Sequence, residues 1–158
     1  MFKIDIPGLG RLEAKYLILD LNGTIARDGL LIKGTKERLR QLATLFDKIY
    51  VLTADTQGTA NTLLNEGIPV TVYKLTLESG MTEKQQFNKK LGPDFCIAVG
   101  NGVNDSLMLR EAALGICILG TEGLATNALL NADIVVKDIN DALDLFLKPK
   151  RLIATLRK

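Results

Sequence analysis

The sequence predicts an α/β protein, a three-layer, doubly wound, Rossmann-like parallel sheet with a small antiparallel hairpin at its N-terminus. Three observations carry that reading. Short apolar runs recur along the chain without polar alternation, the mark of strands buried on both faces. Stretches of helical spacing separate them, which is the βα rhythm of a parallel sheet. The length of 158 residues suits one domain, and a domain of this size buries about 70% of its unfolded surface.

The elements follow in order. Phe2–Ile6 alternates apolar and polar residues, Pro7–Gly10 turns the chain, and Arg11–Glu13 returns, a hairpin. Tyr16–Leu21 is a continuous apolar strand. Thr35–Phe46 places Leu39, Leu42, Ala43 and Phe46 at helical spacing. Lys48–Thr53 is a strand, Thr56–Gly67 a helix stopped by its glycine, and Pro69–Tyr73 a short strand. A helix is expected over Thr82–Gly92, with Thr82 as N-cap and Gly92 as its stop. Strands at Asp94–Val99, Leu114–Leu119 and Ala132–Val136 alternate with helices at Val103–Ala112, Glu122–Leu130 and Ile139–Phe146. The division expected is a single domain over residues 1–158, with a hairpin over 1–15, a core over about 16–146 and a basic, amphipathic tail over 147–158.

Composition narrows the chemistry. Apolar residues make up 47% and charged residues 24%, an ordinary globular balance. The net charge of +2 is too small to argue for nucleic acid. No leading apolar stretch resembles a signal or a membrane span, so a cytoplasmic protein is expected. Cys96 and Cys117 lie inside apolar runs and read as buried, reduced core thiols. The chain has no histidine, which excludes Ser-His-Asp and Cys-His catalysis and imidazole metal sites. Any chemistry must run on carboxylates, amides, hydroxyls and lysines.

In open α/β sheets ligands bind beyond the carboxyl ends of the strands. Three strands end there in polar clusters: Asp20-Leu21-Asn22-Gly23-Thr24, Thr53-Ala54-Asp55, and Gly100-Asn101-Gly102-Val103-Asn104-Asp105. Asn-Gly alone favours hairpin turns, but a helical pattern, not a returning strand, follows Asn101. The third cluster also approaches G-x-G-x-x-G, yet Asp105 stands where the last glycine belongs and would repel a pyrophosphate.

In this order the residues resemble the haloacid dehalogenase-like (HAD) superfamily of phosphohydrolases and phosphotransferases. Its pattern is Asp-x-Asp-Gly-Thr after the first strand, Ser or Thr after the second, a Lys, then Gly-Asp-Gly-x-x-Asp. The matches are Asp20, Gly23, Thr24, Thr53, Lys84, Gly100, Gly102, Asn104 and Asp105. The nearest likeness is to the phosphorylation domain of P-type ATPases and their soluble relatives, over roughly residues 16–146. The resemblance implies HAD topology and an Mg²⁺-dependent enzyme that forms an aspartyl-phosphate on Asp20. Mg²⁺ would be held by Asp20, the Asn22 carbonyl, Asn101 and Asp105. The phosphoryl group would be held by Gly23, Thr24, Thr53, Ala54 and Lys84, with Gly100, Gly102 and Asn104 supporting the loop. Receiver domains of two-component signalling use similar residues, but there the Lys comes last.

Two departures stand out. Asn22 replaces the carboxylate that protonates the leaving group and later activates water, help typically worth about 10² to 10⁴ in rate. Asn101 replaces a metal-site Asp. Slow turnover is therefore expected; the alternative is an impaired phosphate- or protein-binding regulatory module. Ile25–Gly34 is long enough only for a flap, so no cap domain is expected. An open site of this kind implies a phosphorylated substrate, small or macromolecular, and a homo-oligomer, with no nucleic acid or membrane partner.

Overall fold

The computed structural model describes residues 1–54, 58–76 and 78–158. In chain order, β1 (Phe2–Ile6) and β2 (Gly10–Ala14) form an antiparallel hairpin with Phe2 opposite Ala14. β3 (Tyr16–Asp20) follows, then the two-residue strands β4 (Ala26–Arg27) and β5 (Leu30–Leu31), which pair as a short flap. Helix α1 (Thr35–Leu42), β6 (Lys48–Thr53), α2 (Thr59–Asn65), β7 (Thr71–Lys74) and α3 (Gly80–Leu91) come next. The second half runs β8 (Cys96–Gly100), a 3₁₀ turn (Val103–Asp105), α4 (Ser106–Glu111), β9 (Leu114–Ile118), α5 (Thr126–Leu130), β10 (Ile134–Val136), α6 (Ile139–Leu147) and α7 (Pro149–Leu156).

The main sheet has six parallel strands in the order β10-β9-β8-β3-β6-β7. β3 is central, with Leu19 beside Val51 on one neighbour and Val99 on the other. Its residues Leu17, Ile18 and Leu19 are fully buried, which is why the segment is apolar without alternation. Leu17 and Leu19 face one apolar layer together with Ile49, Val51, Ile97 and Val99, and Ile18 faces the other with Leu52, Ala98 and Cys117. Both cysteines are free and buried, and burial pushes the Cys96 thiol up to about 12, so it stays protonated.

The hairpin joins the first of these layers. Phe2 stacks on Phe46 at 5.5 Å and meets Phe146 edge-on at 5.4 Å. Such pairs add about 0.5–1.5 kcal/mol each beyond their burial. The basic, amphipathic tail is helical: α7 buries Leu152, and the Lys158 N–H donates to the Pro7 carbonyl at 3.1 Å.

Several boundaries differ from expectation. Helix α3 begins before Thr82, with Ser79 at its N-cap. The preceding turn is closed by Glu83, whose carboxylate accepts from the Thr76 N–H at 2.8 Å, from the Ser79 hydroxyl at 3.0 Å and from the Thr76 hydroxyl. Residues 122–125 are loop, and the helix expected over Glu122–Leu130 starts only at Thr126. The expected helix over Val103–Ala112 opens as a 3₁₀ turn and becomes α-helical at Ser106. Thr56, the expected start of the second helix, and Asp55 lie outside the described residues. Among the described residues no cap domain is present and no helix is long and apolar enough to cross a membrane.

Candidate active site

The site is built where β3, β6 and β8 end side by side. Asp20 is the last residue of β3 and lies opposite Leu52, so Thr53 ends the adjacent strand one step further on. Both Asp20 and Thr53 are buried, and Ala54 is half-buried. After Asp20 the chain makes a tight turn. The Ile25 and Ala26 N–H groups donate to the Leu21 carbonyl at 3.0 and 2.9 Å, and the Gly23 N–H returns to the Ala26 carbonyl at 2.8 Å. Gly23 sits at φ 78°, a left-handed conformation that favours glycine.

Lys84 binds the site together. It is 1% exposed, and its Nζ donates to Asp20 Oδ1 and to Asp105 Oδ1, each at 2.6 Å. Asp105 is fully buried, and its other oxygen accepts from the Asn101 and Gly102 N–H groups, both at 2.9 Å. That pair of bonds folds the loop after β8. It also explains Gly100, because a Cβ there would lie 2.4 Å from the Asp105 carboxyl carbon. Asn104 is exposed, with its amide oxygen 2.9 Å from where a Gly102 side chain would begin.

The electrostatics follow from burial. Desolvation, then the like charge of Asp105, push the Asp20 carboxyl up to about 7, against the opposing pull of Lys84 and the Thr24 hydroxyl. For Lys84, burial pulls downward, but the two carboxylates outweigh it and the net shift is upward. Lys84 neutralises one of its two partners, leaving a single uncompensated negative charge in the buried trio.

On the outer side the Thr24 hydroxyl lies 3.2 Å from Asp20 Oδ2 and 3.3 Å from Asn101 Oδ1. One proton faces two acceptors, so the pocket has a surplus of acceptor oxygen. A methyl on Gly23 would stand 2.9 Å from that same Asn101 oxygen and 2.8 Å from Glu122 Oε2. The side-chain oxygens of Asp20, Asn101 and Glu122 are hard donors of the kind that suits a divalent cation such as Mg²⁺, while the Asn101 Nδ2, 2.6 Å from the same point, donates to the Gly123 carbonyl. Among the described residues no three His, Cys, Asp or Glu side chains converge, so carbonyl and amide oxygens must complete any such set. Asn22 is exposed at the mouth. The structure thus brings Asp20, Thr24, Lys84, Asn101 and Asp105 into one connected group. Sequence reasoning missed Glu122, which it placed in a helix.

A central parallel sheet with a buried Asp–Lys–Asp trio at its carboxyl edge defines a Rossmann-like fold with a carboxylate site at the ligand-binding edge. The comparisons name the group. The chain superposes on the crystal structure of 3-deoxy-D-manno-octulosonate 8-phosphate phosphatase from Moraxella catarrhalis, solved with magnesium, phosphate and KDO. The TM-score is 0.69, the identity 18%, and the match covers 91% of this chain and 94% of that one. A soluble P-type ATPase-like phosphatase of Methanocaldococcus jannaschii is 30% identical over 124 residues, 77% of this chain but 45% of that protein. An uncharacterized protein of the same organism is 55% identical over 75 residues, 48% of this chain and 75% of that protein. No family model matches. The chain has the haloacid dehalogenase-like fold, with no cap domain among the described residues.

Proposed function

We propose that the protein is a phosphohydrolase or phosphotransferase in which Asp20 is the nucleophile and an aspartyl-phosphate the intermediate. The observation that carries this reading is Lys84, a fully buried ammonium held at 2.6 Å between two carboxylates at a strand-end site. Burying such a trio is expensive, and a purely structural role does not call for it at the ligand-binding edge of the sheet. The phosphatase relatives and fold neighbours support the same class.

Asp20 attacks phosphorus, the bond to the leaving-group oxygen breaks, and that oxygen takes its proton from solvent because the Asn22 amide has none to give. Water then attacks the acyl-phosphate, releasing phosphate and restoring the Asp20 carboxylate. Lys84 holds Asp20 in place and stabilises charge developing on the phosphoryl group. Thr53, Ala54, Gly23 and Thr24 provide hydroxyl and backbone donors for its oxygens. Mg²⁺ would be held by Asp20, the Asn22 carbonyl and Asn101, and when bound it would screen the approach of the phosphate dianion. Asp105, expected among the metal ligands, is assigned a different part. With its oxygens engaged by Lys84 and two N–H groups, it braces the lysine and the loop and leaves the ligand position to Asn101. Gly100, Gly102 and Asn104 shape that loop. The substrate is a phosphorylated compound, small or macromolecular, which the open site admits, and we assign the chain to a homo-oligomer.

Incubation with acetyl phosphate and Mg²⁺, followed by mass spectrometry of the acid-quenched protein, tests this. An 80-Da adduct on Asp20 (about 80 Da being the mass of one phosphoryl group) is the expected result. Its absence from wild type, and of phosphate release from a substrate panel, would leave the regulatory-module reading, which the paired amides at 22 and 101 favour.

A further inference from the structure

Two positions where the superfamily pattern has carboxylates are amides here, so the cation site retains the charge of Asp20 alone. The fold brings a carboxylate from another place. The loop between β9 and α5 lies beside the nucleophile turn and is tied to the loop after β8 and to the flap. The Ala125 N–H donates to the Asn101 carbonyl at 2.9 Å, and Asn101 Nδ2 donates to the Gly123 carbonyl at 3.3 Å. The Gly123 N–H closes a tight turn on the Gly120 carbonyl at 3.0 Å. From the flap, Arg27 Nη1 reaches the Thr121 hydroxyl at 3.4 Å.

Glu122 stands at the tip of this turn. Its Oε2 lies 2.8 Å from the point where a Gly23 methyl would be, and the Asn101 side-chain amide flanks the same point, with Nδ2 at 2.6 Å and Oδ1 at 2.9 Å. The residue is solvent-exposed, yet its carboxylate is turned toward the Asp20 loop, and among the described residues no hydrogen bond or ion pair engages it. Arg27 and Lys137 line the same cavity of about 290 Å³ but neither pairs with it. A carboxylate so placed, beside the Asn101 amide and without a cationic partner among the described residues, brings a charged oxygen donor to the edge of the Asp20 loop. It would repel a phosphate that arrives without a cation.

We propose that Glu122 is the second carboxylate of the divalent-cation site, replacing from the β9–α5 loop the charge lost at Asn22 and Asn101. This rests on the cation-dependent reading above. It also gives Gly23 a second reason to be glycine: a side chain there would fill the space between Asn101 and Glu122.

The test is calorimetric titration of the metal-free full chain with Mg²⁺ alone, with no substrate present. Glu122→Gln is expected to weaken Mg²⁺ binding about tenfold or more, the scale of losing a metal-site partner. Glu66→Gln, which removes the same charge from a surface pair with Lys36, is expected to leave it unchanged. Adding Asn101→Asp to Glu122→Gln restores affinity. Equal affinity in wild type and Glu122→Gln, with binding lost in Asp20→Asn, overturns the assignment of Glu122 and keeps the cation site. No Mg²⁺ binding by wild type overturns both. Far-UV circular dichroism of each metal-free variant separates lost binding from lost folding.

Discussion

On the inner side of Asp20 the polar side chains are ionisable, buried and engaged: Lys84 contacts both carboxyl groups at 2.6 Å, and Asp105 takes two backbone N–H groups as well. On the outer side, a turn away, Asn22 and Asn101 are amides, Asn22 is exposed, and one Thr24 hydroxyl serves two acceptors. In the proposed mechanism the inner side would hold the nucleophile in position. The outer side would handle the metal, the leaving group and water, with amides at 22 and 101 that keep the shape of a carboxylate without its charge. The difference teaches that holding Asp20 in place and clearing a group bound to it would be separable requirements under the proposed mechanism, met by different faces of one loop.

The largest effect is expected from Lys84. Lys84→Met leaves two buried carboxylates facing each other without a cation, and breaking a buried ion pair from one side costs about 3–5 kcal/mol. Urea unfolding of wild type and variant measures it. A loss below about 1 kcal/mol, the range of exposed pairs, would erase the structural contrast between the two sides. The variant is also expected to lose the Asp20 adduct.

Asn22→Asp acts on the other face. It restores the acid, and phosphoenzyme decay is expected to speed up about 10²-fold, the lower end for acid–base help. Stability should change by no more than about 0.5 kcal/mol, because the residue is exposed. Rapid-quench decay of the labelled protein gives the rate. An unchanged rate would show that the missing acid does not limit turnover.

Gly100→Ala probes how tightly the inner side is packed. The new methyl would lie 2.4 Å from the Asp105 carboxyl carbon, and overpacking of this kind costs about 1–3 kcal/mol. Thermal unfolding reads the loss. A neutral result would mean that the Asp105 brace shifts freely.

Much of this contrast is legible in the sequence, for a physical reason. Strands buried on both faces are continuous apolar runs, so Tyr16–Asp20 and Cys96–Gly100 announce themselves, and the polar residues after them fall at one edge of the sheet. Asp20 and Asp105 follow from that placement, whereas Lys84, inside a helix, is picked out only by the resemblance to the superfamily's order of residues. What escaped depends on contacts between distant segments. Glu122 sits in Gly-Thr-Glu-Gly, which carries no local signal, and the loop is held by Asn101 from 22 residues away or more. The start of α3 was misplaced because Glu83 reaches back to Thr76, outside the usual capping spacing. The last residues were legible as amphipathic, but their docking beside the hairpin, with Lys158 on Pro7, is a contact between the two chain ends.

A yardstick for the buried trio lies away from the site, on α6. Asp144, 7% exposed, accepts from Arg38 Nε at 2.8 Å and Lys148 Nζ at 2.9 Å. The Arg38 hydrogen bond holds its carboxyl below the usual carboxylate range, against the opposing effect of burial. A carboxylate depressed in the folded state contributes stability above its unfolded pKa of about 3.9 and loses it as pH falls through the lower folded value. Asp144→Asn is therefore expected to cost about 2 kcal/mol at pH 7, the scale of hydrogen bonds to a charged group. The gap to wild type should close as the pH drops below about 4. Urea unfolding at pH 7, 5 and 3 follows it. A gap that stays constant would assign the loss to packing instead of charge. A gap as large as that of Lys84→Met would show that the trio beside Asp20 is no more demanding than an ion pair whose cations reach water.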